Sequence, residues 1–286
     1  MRALVLGGTG QTGTLVARGL GERGVAVRTA SRSAQAGDHA VFDWERGETH
    51  EAALRDVEAV FLVAPATAGD PAQVMVPFIE RAVSMGVRSF VLLSSSAIEE
   101  GTPGMGAVHA ALRARAPGWT VLRPSWFMQN FFQPRHHLAQ GLARNGQMLT
   151  ATGQGRVGLI DVADIAAVAV ETLLAPVNQA PVLTGPEALS YDEVAAILSE
   201  VTGRRLEHRA VSVDEARASM MSAGIPEAYA SLLAGMEASI ARGSEDRTTD
   251  SVLRITGRRP RSFREVASRI TKTRDAGLAQ SGHQGE

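Results

Sequence analysis

From Arg2 to Pro124, short apolar runs alternate with segments whose apolar residues recur at helical spacing. Arg2–Leu6 is such a run, followed by an amphipathic segment over Thr14–Arg23. Val25–Val27 then continues into Arg28–Ser33, and Ala40–Trp44 forms a further short run. Glu48–Arg55 and Pro71–Met85 read as helices, the second stopped by Gly86, with the continuous apolar run Ala59–Pro65 between them. Ser89–Ser96, a helix over Ala107–Arg115 and the run Trp119–Pro124 complete the series. Continuous apolar runs are strands covered on both faces. Their alternation with helices predicts parallel β-α-β units with right-handed crossovers. The fold class expected is α/β, a Rossmann-type doubly wound parallel sheet.

The later pattern is more broken. Gln147–Gly153, Pro181–Pro186 and Arg205–Val211 read as strands or strand–turn units. A helix starts at Ile160–Ala166 with Asp161 or Asp164 as its cap or first-turn acid; Leu189–Leu198 reads as a capped helix, and Val213–Ala223 and Pro226–Arg242 as two more. The arginines of Arg254–Arg274 suit a solvated helix face. These segments predict a smaller C-terminal α/β cap that binds substrate. Residues 1–132 would be mainly dinucleotide-binding and 133–275 mainly the cap, with some segments returning to the sheet. The polar tail 276–286 is expected to be disordered.

Candidate chemistry gathers at the carboxyl ends of the predicted strands, where ligands of such sheets bind. Gly7, Gly10 and Gly13 join the first strand to a helix with the spacing G-x-x-G-x-x-G. Gly7 would make the tight turn, Gly10 would admit a pyrophosphate, and Gly13 would let helix pack on strand. Thr9, Gln11 and Thr12 lie in the same turn, the threonines as hydroxyl donors. The second strand ends in Ser31-Arg32-Ser33, a cation and two hydroxyls suited to a 2′-phosphate, where an NAD site carries a carboxylate. NADP(H) is therefore the expected cofactor. Asp43 is placed near the adenine, and Ala64, Pro65 and Ser94 along the same crevice.

Composition narrows the chemistry. The chain has 286 residues, a net charge of −1 and no cysteine, which removes thiol catalysis, disulfides and thiolate metal sites. Charge gives no case for nucleic acid or an anionic membrane. Neither a secretory signal nor an apolar run of the ~20 residues a bilayer needs is present, so a cytoplasmic protein is expected. Metal ligation is not expected either, because adjacent His136 and His137 would point apart on a helix. The single lysine is Lys272, and the tyrosines are Tyr191 and Tyr229. Four residues after each tyrosine stand Ala195 and Leu233, so the Tyr-x-x-x-Lys pair of most short-chain dehydrogenases is absent. His109 is the first candidate for a proton donor, with Ser95 and Tyr191 behind it. Ser125–Phe132 concentrates Trp126, Phe127, Met128, Phe131 and Phe132 in a chain with only 5% aromatic residues. Trp126, Phe127 and Met128 are expected to wall an aromatic or polycyclic substrate, with Asn130 hydrogen-bonding it; core packing is the alternative.

The stretches G-G-T-G-Q-T-G (Gly7–Gly13), F-L-V-A-P (Phe61–Pro65), G-V-R-S-F-V-L-L-S-S-S (Gly86–Ser96) and L-R-P-S-W-F-M-Q-N-F (Leu122–Phe131) resemble the NmrA-like, atypical branch of the short-chain dehydrogenase/reductases. Within it the chain is most similar to ergot-alkaloid-biosynthesis reductases of the agroclavine/festuclavine dehydrogenase type, through G-P-E-A-L-S-Y-D-E-V-A (Gly185–Ala195) and on to T-G-R-R-P (Thr256–Pro260). The resemblance implies NADP(H) and hydride delivery to an iminium or similar unsaturated carbon. Met105, near the position of the lysine some relatives use, cannot donate a proton. The Arg-over-Lys bias suggests a bacterial host, where such reductases tailor other secondary metabolites. A non-catalytic NADP(H)-sensing regulator and a tailoring or coupling protein of an aromatic polyketide pathway are the alternatives, and a homodimer is possible.

Overall fold

The structure, a computed structural model, describes residues 1–33, 35–65 and 69–281, with the backbone alone over 274–281. In chain order the elements are β1 (Arg2–Leu6), α1 (Gln11–Glu22), β2 (Ala26–Ser31), β3 (His39–Val41), α2 (Glu48–Leu54), β4 (Ala59–Val63), α3 (Ala72–Ser84), β5 (Ser89–Leu93), α4 (Met105–Arg115) and β6 (Gly118–Pro124). A 3-10 turn, Met128–Phe131, precedes α5 (His137–Asn145), β7 (Gln147–Thr150) and β8 (Arg156–Val157). Then come α6 (Val162–Leu174), β9 (Val182–Leu183), β10 (Leu189–Ser190), α7 (Tyr191–Thr202) and β11 (Glu207–Ala210). The chain closes with α8 (Val213–Ser222), α9 (Glu227–Ala241), α10 (Ser251–Thr256) and α11 (Phe263–Ser281).

The chain divides into two compact units. The first comprises Met1–Pro124, Val162–Leu183 and Asp250–Arg258. Its seven strands lie in the order β3-β2-β1-β4-β5-β6-β9, every neighbouring pair parallel. Because side chains alternate across a sheet, Leu4, Leu6, Leu62 and Leu92 share one face. They pack with Leu54 of α2, Phe78 and Ile79 of α3, and Val108 and Leu112 of α4. Ala3, Val5, Phe61 and Val91, also fully buried, occupy the other face, where α6 lies against β4, β5 and β6 and packs on α1. Arg23 of α1 pairs there with Glu171 of α6. Strands end earlier than the apolar runs suggest. β4 stops at Val63 and β5 at Leu93, so Ala64, Pro65 and Ser94–Ser96 are loop residues; proline has no N–H for a ladder.

The second unit comprises Ser125–Asp161, Thr184–Thr249 and Arg259–Glu286. β7 pairs with β11 in parallel and β10 with β8 antiparallel. Its core joins Met128, Phe131 and Phe132 to Tyr191, Leu198 and Phe263. α7 opens with a capping box in which Ser190 and Glu193 satisfy each other's backbone amides. The predicted start at Leu189 falls instead in β10, because a cap residue is extended, as Ser190 is. The backbone of α11 continues to Ser281, through the first residues of the segment expected to be a disordered tail. Ala276, Leu278, Ala279 and Gln280 are good helix formers; residues 282–286 lie outside the described ones.

Candidate functional site

Strand order reverses between β1 and β4, and such a switch point opens a crevice at the strand carboxyl ends. A cavity of about 390 Å³ lies there, with Leu6 and Gly7 from the end of β1 and Val63, Ala64 and Pro65 from the end of β4 in its wall.

Gly7 (φ +65°) turns the chain out of β1, and the Gly10 amide donates to the Gly7 carbonyl at 2.8 Å. A Cβ on Gly13 would sit 2.2 Å from the Gly7 carbonyl oxygen, so only glycine lets α1 approach the turn. Gly8, which the spacing argument missed, is as constrained: its Cβ would meet Thr29 Cβ of β2 at 2.8 Å. Around Gly10 the nearest protein atom to an added Cβ is the Gly7 carbonyl oxygen at 3.2 Å, and Gly10 lines the cavity. A side chain there would take up ligand space. α1 begins with no side-chain cap and no acidic residue in its first turn, which leaves unpaired N–H groups and the positive end of the helix dipole for an anion. These features fit a dinucleotide pyrophosphate.

Away from the glycine turn, the cavity is walled by Phe42, Asp43, Trp44 and Glu45 on one side and by Ala30, Ser31 and Arg32 on another. Asp43 is the hub of its turn. Its Oδ1 accepts from the Glu45 amide at 3.0 Å, and its carbonyl accepts from His50 Nε2 at 2.9 Å. His50 is buried, and desolvation holds its pKa below the ordinary 6.5. Trp44 meets Phe42 and Phe78 edge-on, with ring centroids 5.0 and 5.2 Å away, so its indole is a fixed wall. Neither Trp44 nor Glu45 was singled out as a site residue in the sequence. The signal available was an aromatic directly beside the aspartate that ends a short apolar run.

Arg32 is exposed, and no carboxylate among the described residues pairs with it. Arg28, two strand positions before Ala30, contrasts with it, bonding Asp38 Oδ1 at 2.8 Å and the Arg55 carbonyl at 2.9 Å. The cavity thus gathers Gly7, Thr9, Gly10, Ser31, Arg32, Asp43, Ala64 and Pro65 from the residues expected to hold cofactor. Gln11, Thr12, Gly13, Ser33 and Ser94 do not line it. Thr12 is buried in α1, and the Ser94 amide donates to the Leu122 carbonyl at 2.8 Å, holding the end of β5 to β6.

The expected proton donors fare differently. Ser95 is half-buried just beyond β5, and its Oγ accepts from the Ala97 amide at 3.3 Å. His109 is only 5% exposed on α4, stacked obliquely against Trp119 at 5.6 Å. Its Nε2 has no hydrogen-bond partner among the described residues and lies 3.9 Å from Glu100 Oε2. Desolvation pulls its pKa below 6.5 despite Glu100, which weakens its case as an acid near neutral pH. Tyr191 is withdrawn altogether. As the first residue of α7 it points inward, 1% exposed, between Phe131 and His208, and burial drives its pKa far upward.

In the second unit Trp126, Phe127 and Asn130 are half-buried. Met128 is a correction: at 1% exposure it belongs to the core with Phe131 and Phe132, and a Cβ on Gly185 would lie 3.2 Å from its terminal methyl. The segment is held from below. The Ser125 hydroxyl donates to the Gly158 carbonyl, and Gln129 Nε2 donates to Asp161 Oδ1 at 2.6 Å. Asp161, fully buried, also accepts from Arg269 at 2.9 Å. A hydrogen-bonded chain that sequence gave no sign of runs from the exposed Asp192 Oδ1 to the buried His208 Nδ1 and from His208 Nε2 to Thr150 Oγ1, each at 2.8 Å. His136 and His137 stack at 4.5 Å, and burial lowers their pKa values to about 3 and about 4. Among the described residues no helix is long and apolar enough to cross a membrane.

The family described as NAD(P)H-binding matches residues 7–176. The chain is 41% identical over 270 residues to the uncharacterized oxidoreductase YesF of Bacillus subtilis, covering 93% of each chain. It is 36% identical to the agroclavine dehydrogenase of Claviceps fusiformis, over 94% of this chain and 96% of that one. Among solved structures, the Citrobacter sp. triphenylmethane reductase complexed with NADP(H) superposes with a TM-score of 0.80 at 22% identity, covering 95% of this chain and all of the other.

Proposed function

With the chain a member of the NAD(P)H-binding family and an NAD(P)H-dependent oxidoreductase, we propose that it prefers NADPH and reduces an iminium, imine or quinone-like carbon of an aromatic or polycyclic secondary metabolite. The cofactor preference rests on Arg32, an exposed guanidinium on the cavity wall that no carboxylate among the described residues neutralises. A guanidinium binds phosphate oxygens through paired N–H donors, and the 2′-phosphate is the group that distinguishes NADPH from NADH. The glycine turn and the uncapped start of α1 receive the pyrophosphate, while Trp44 and Asp43 bound the adenosine end.

The acceptor class follows from the proton inventory. When bound, NADPH supplies a hydride. An iminium carbon, or an imine that arrives already protonated, becomes an amine with no further proton required, and a quinone becomes a hydroquinone anion that solvent can protonate, whereas a ketone needs an acid for its developing alkoxide. The Tyr-x-x-x-Lys pair is absent, Tyr191 is sealed in a core, and burial lowers the pKa of His109. That withdrawal of acids is the observation that carries this part of the reading. The relation to agroclavine dehydrogenase supports an alkaloid-like substrate. Trp126, Phe127 and Asn130 are the side chains proposed to meet it.

The test is NADPH consumption against matched cyclic iminium, quinone and ketone acceptors. Turnover of the iminium or quinone with ketones inert is expected. Ketones reduced as fast as iminiums would remove the reading, and inertness towards the whole panel would favour a redox sensor.

A further inference from the structure

His39 stands behind the cavity wall rather than in it. It is the first residue of β3, in register with Thr29 of β2, so its side chain shares a sheet face with Thr29 and, two residues on, Ser31. Nδ1 lies 2.8 Å from Thr29 Oγ1. Nε2 lies 3.0 Å from the Ser33 carbonyl oxygen and 3.1 Å from Ser31 Oγ. A carbonyl only accepts, so Nε2 carries the hydrogen and donates. The Ser31 hydroxyl donates to the same Ser33 carbonyl at 2.9 Å. Two donors therefore share one acceptor on either side of Arg32.

We infer that His39 is a positioning residue for 2′-phosphate selectivity, because its Nε2–H satisfies the Ser33 carbonyl and frees the Ser31 hydroxyl for a phosphate oxygen. Ser31 lines the cavity beside Arg32. When a 2′-phosphate arrives, the Ser31 O–H rotates to it and the exposed Ser33 carbonyl keeps the imidazole donor. Without the imidazole the hydroxyl is the remaining donor to Ser33 and is held away from the ligand. The same ring, tied to Thr29, fixes the ends of the turn that carries Arg32. This rests on the reading of Arg32 as the 2′-phosphate site.

Binding of 2′,5′-ADP and 5′-AMP is measured by calorimetry on the full chain. His39→Ala is expected to weaken 2′,5′-ADP about tenfold, the cost of one hydrogen bond to a charged group, and to leave 5′-AMP unchanged. In a Ser31→Ala background the same change adds little, since both act through one hydroxyl. Equal loss of both nucleotides, or a full tenfold effect persisting without Ser31, overturns the inference. If His39→Ala melts at a lower temperature, His39→Gln is read instead. Its amide can still donate to the Ser33 carbonyl, so it retains selectivity; a His39→Gln protein as unselective as Ser31→Ala counts against the role. Arg32→Ala separates the two levels. If it weakens 2′,5′-ADP and 5′-AMP alike, the phosphate site itself is misassigned; if it is selective while His39→Ala is not, only the role of His39 fails.

Discussion

The open end of the parallel sheet and the interior of the second unit treat their polar groups differently. At the open end of the sheet, α1 starts uncapped and Arg32 has no carboxylate partner among the described residues. In the second unit, several buried polar side chains are tied to other side chains or to backbone. Asp161 is held by Gln129 and Arg269, His208 links Asp192 to Thr150, and Glu237 accepts from the Ala151 amide at 2.8 Å. Polar groups left unpaired beside a concavity are ready for a ligand, whereas those paired in an interior hold elements together. Burial of Tyr191 and Met128 belongs to the second pattern: both side chains are packed in the core of the second unit.

The contrast can be broken most forcefully at Gly13. Gly13→Ala puts a Cβ against the Gly7 carbonyl oxygen, so a loss of ~3 kcal/mol or more is expected, as for severe overpacking. NADPH binding should vanish with it; denaturant titration beside calorimetry checks both. Gly10→Val should abolish binding while the melting temperature stays near that of the parent, because its Cβ grows into the cavity.

Glu237 tests the second unit. Burial raises its pKa from 4.5 to about 7, with the Ala151 amide opposing. The folded protein therefore holds this proton more tightly than the unfolded chain does. Stability contributed by the neutral carboxyl is complete below about 4.5 and is lost as pH rises through about 7. Glu237→Gln should stabilise the protein at pH 8, by at most ~3 kcal/mol for a shift of this size, and should have little effect at pH 4. Thermal melts at the two pH values decide, and an equal change at both would contradict the assignment. The smallest effect is expected for Tyr191→Phe. Turnover of an iminium should change less than ~3-fold, against the ~100-fold or greater loss typical of a missing general acid.

The parallel sheet was legible because its central strands are continuous apolar runs, and the turn because Gly7, Gly10 and Gly13 stand at the spacing it requires. Arg32 was legible because it follows directly on the second strand, beside a glycine turn already recognised. Gly8 was not, since its constraint is the side chain of Thr29 on another strand, and His39 was not, since its partners converge only when β2 and β3 pair in register. The roles of Met128 and Tyr191 were ambiguous for a related reason. An aromatic or a methionine after a strand reads the same whether it faces a ligand or a core, and only the packing of Phe131, Phe263 and Gly185 around them decides.

The measurement that bears most directly on the account is the ratio of NADPH to NADH dissociation constants in the parent protein and in Arg32→Ala. The loss of a charge-assisted pair predicts a ratio shifted by ~10- to 100-fold, through weaker NADPH binding with NADH nearly unchanged. Equal weakening of both cofactors, or no preference for NADPH in the parent, would contradict it.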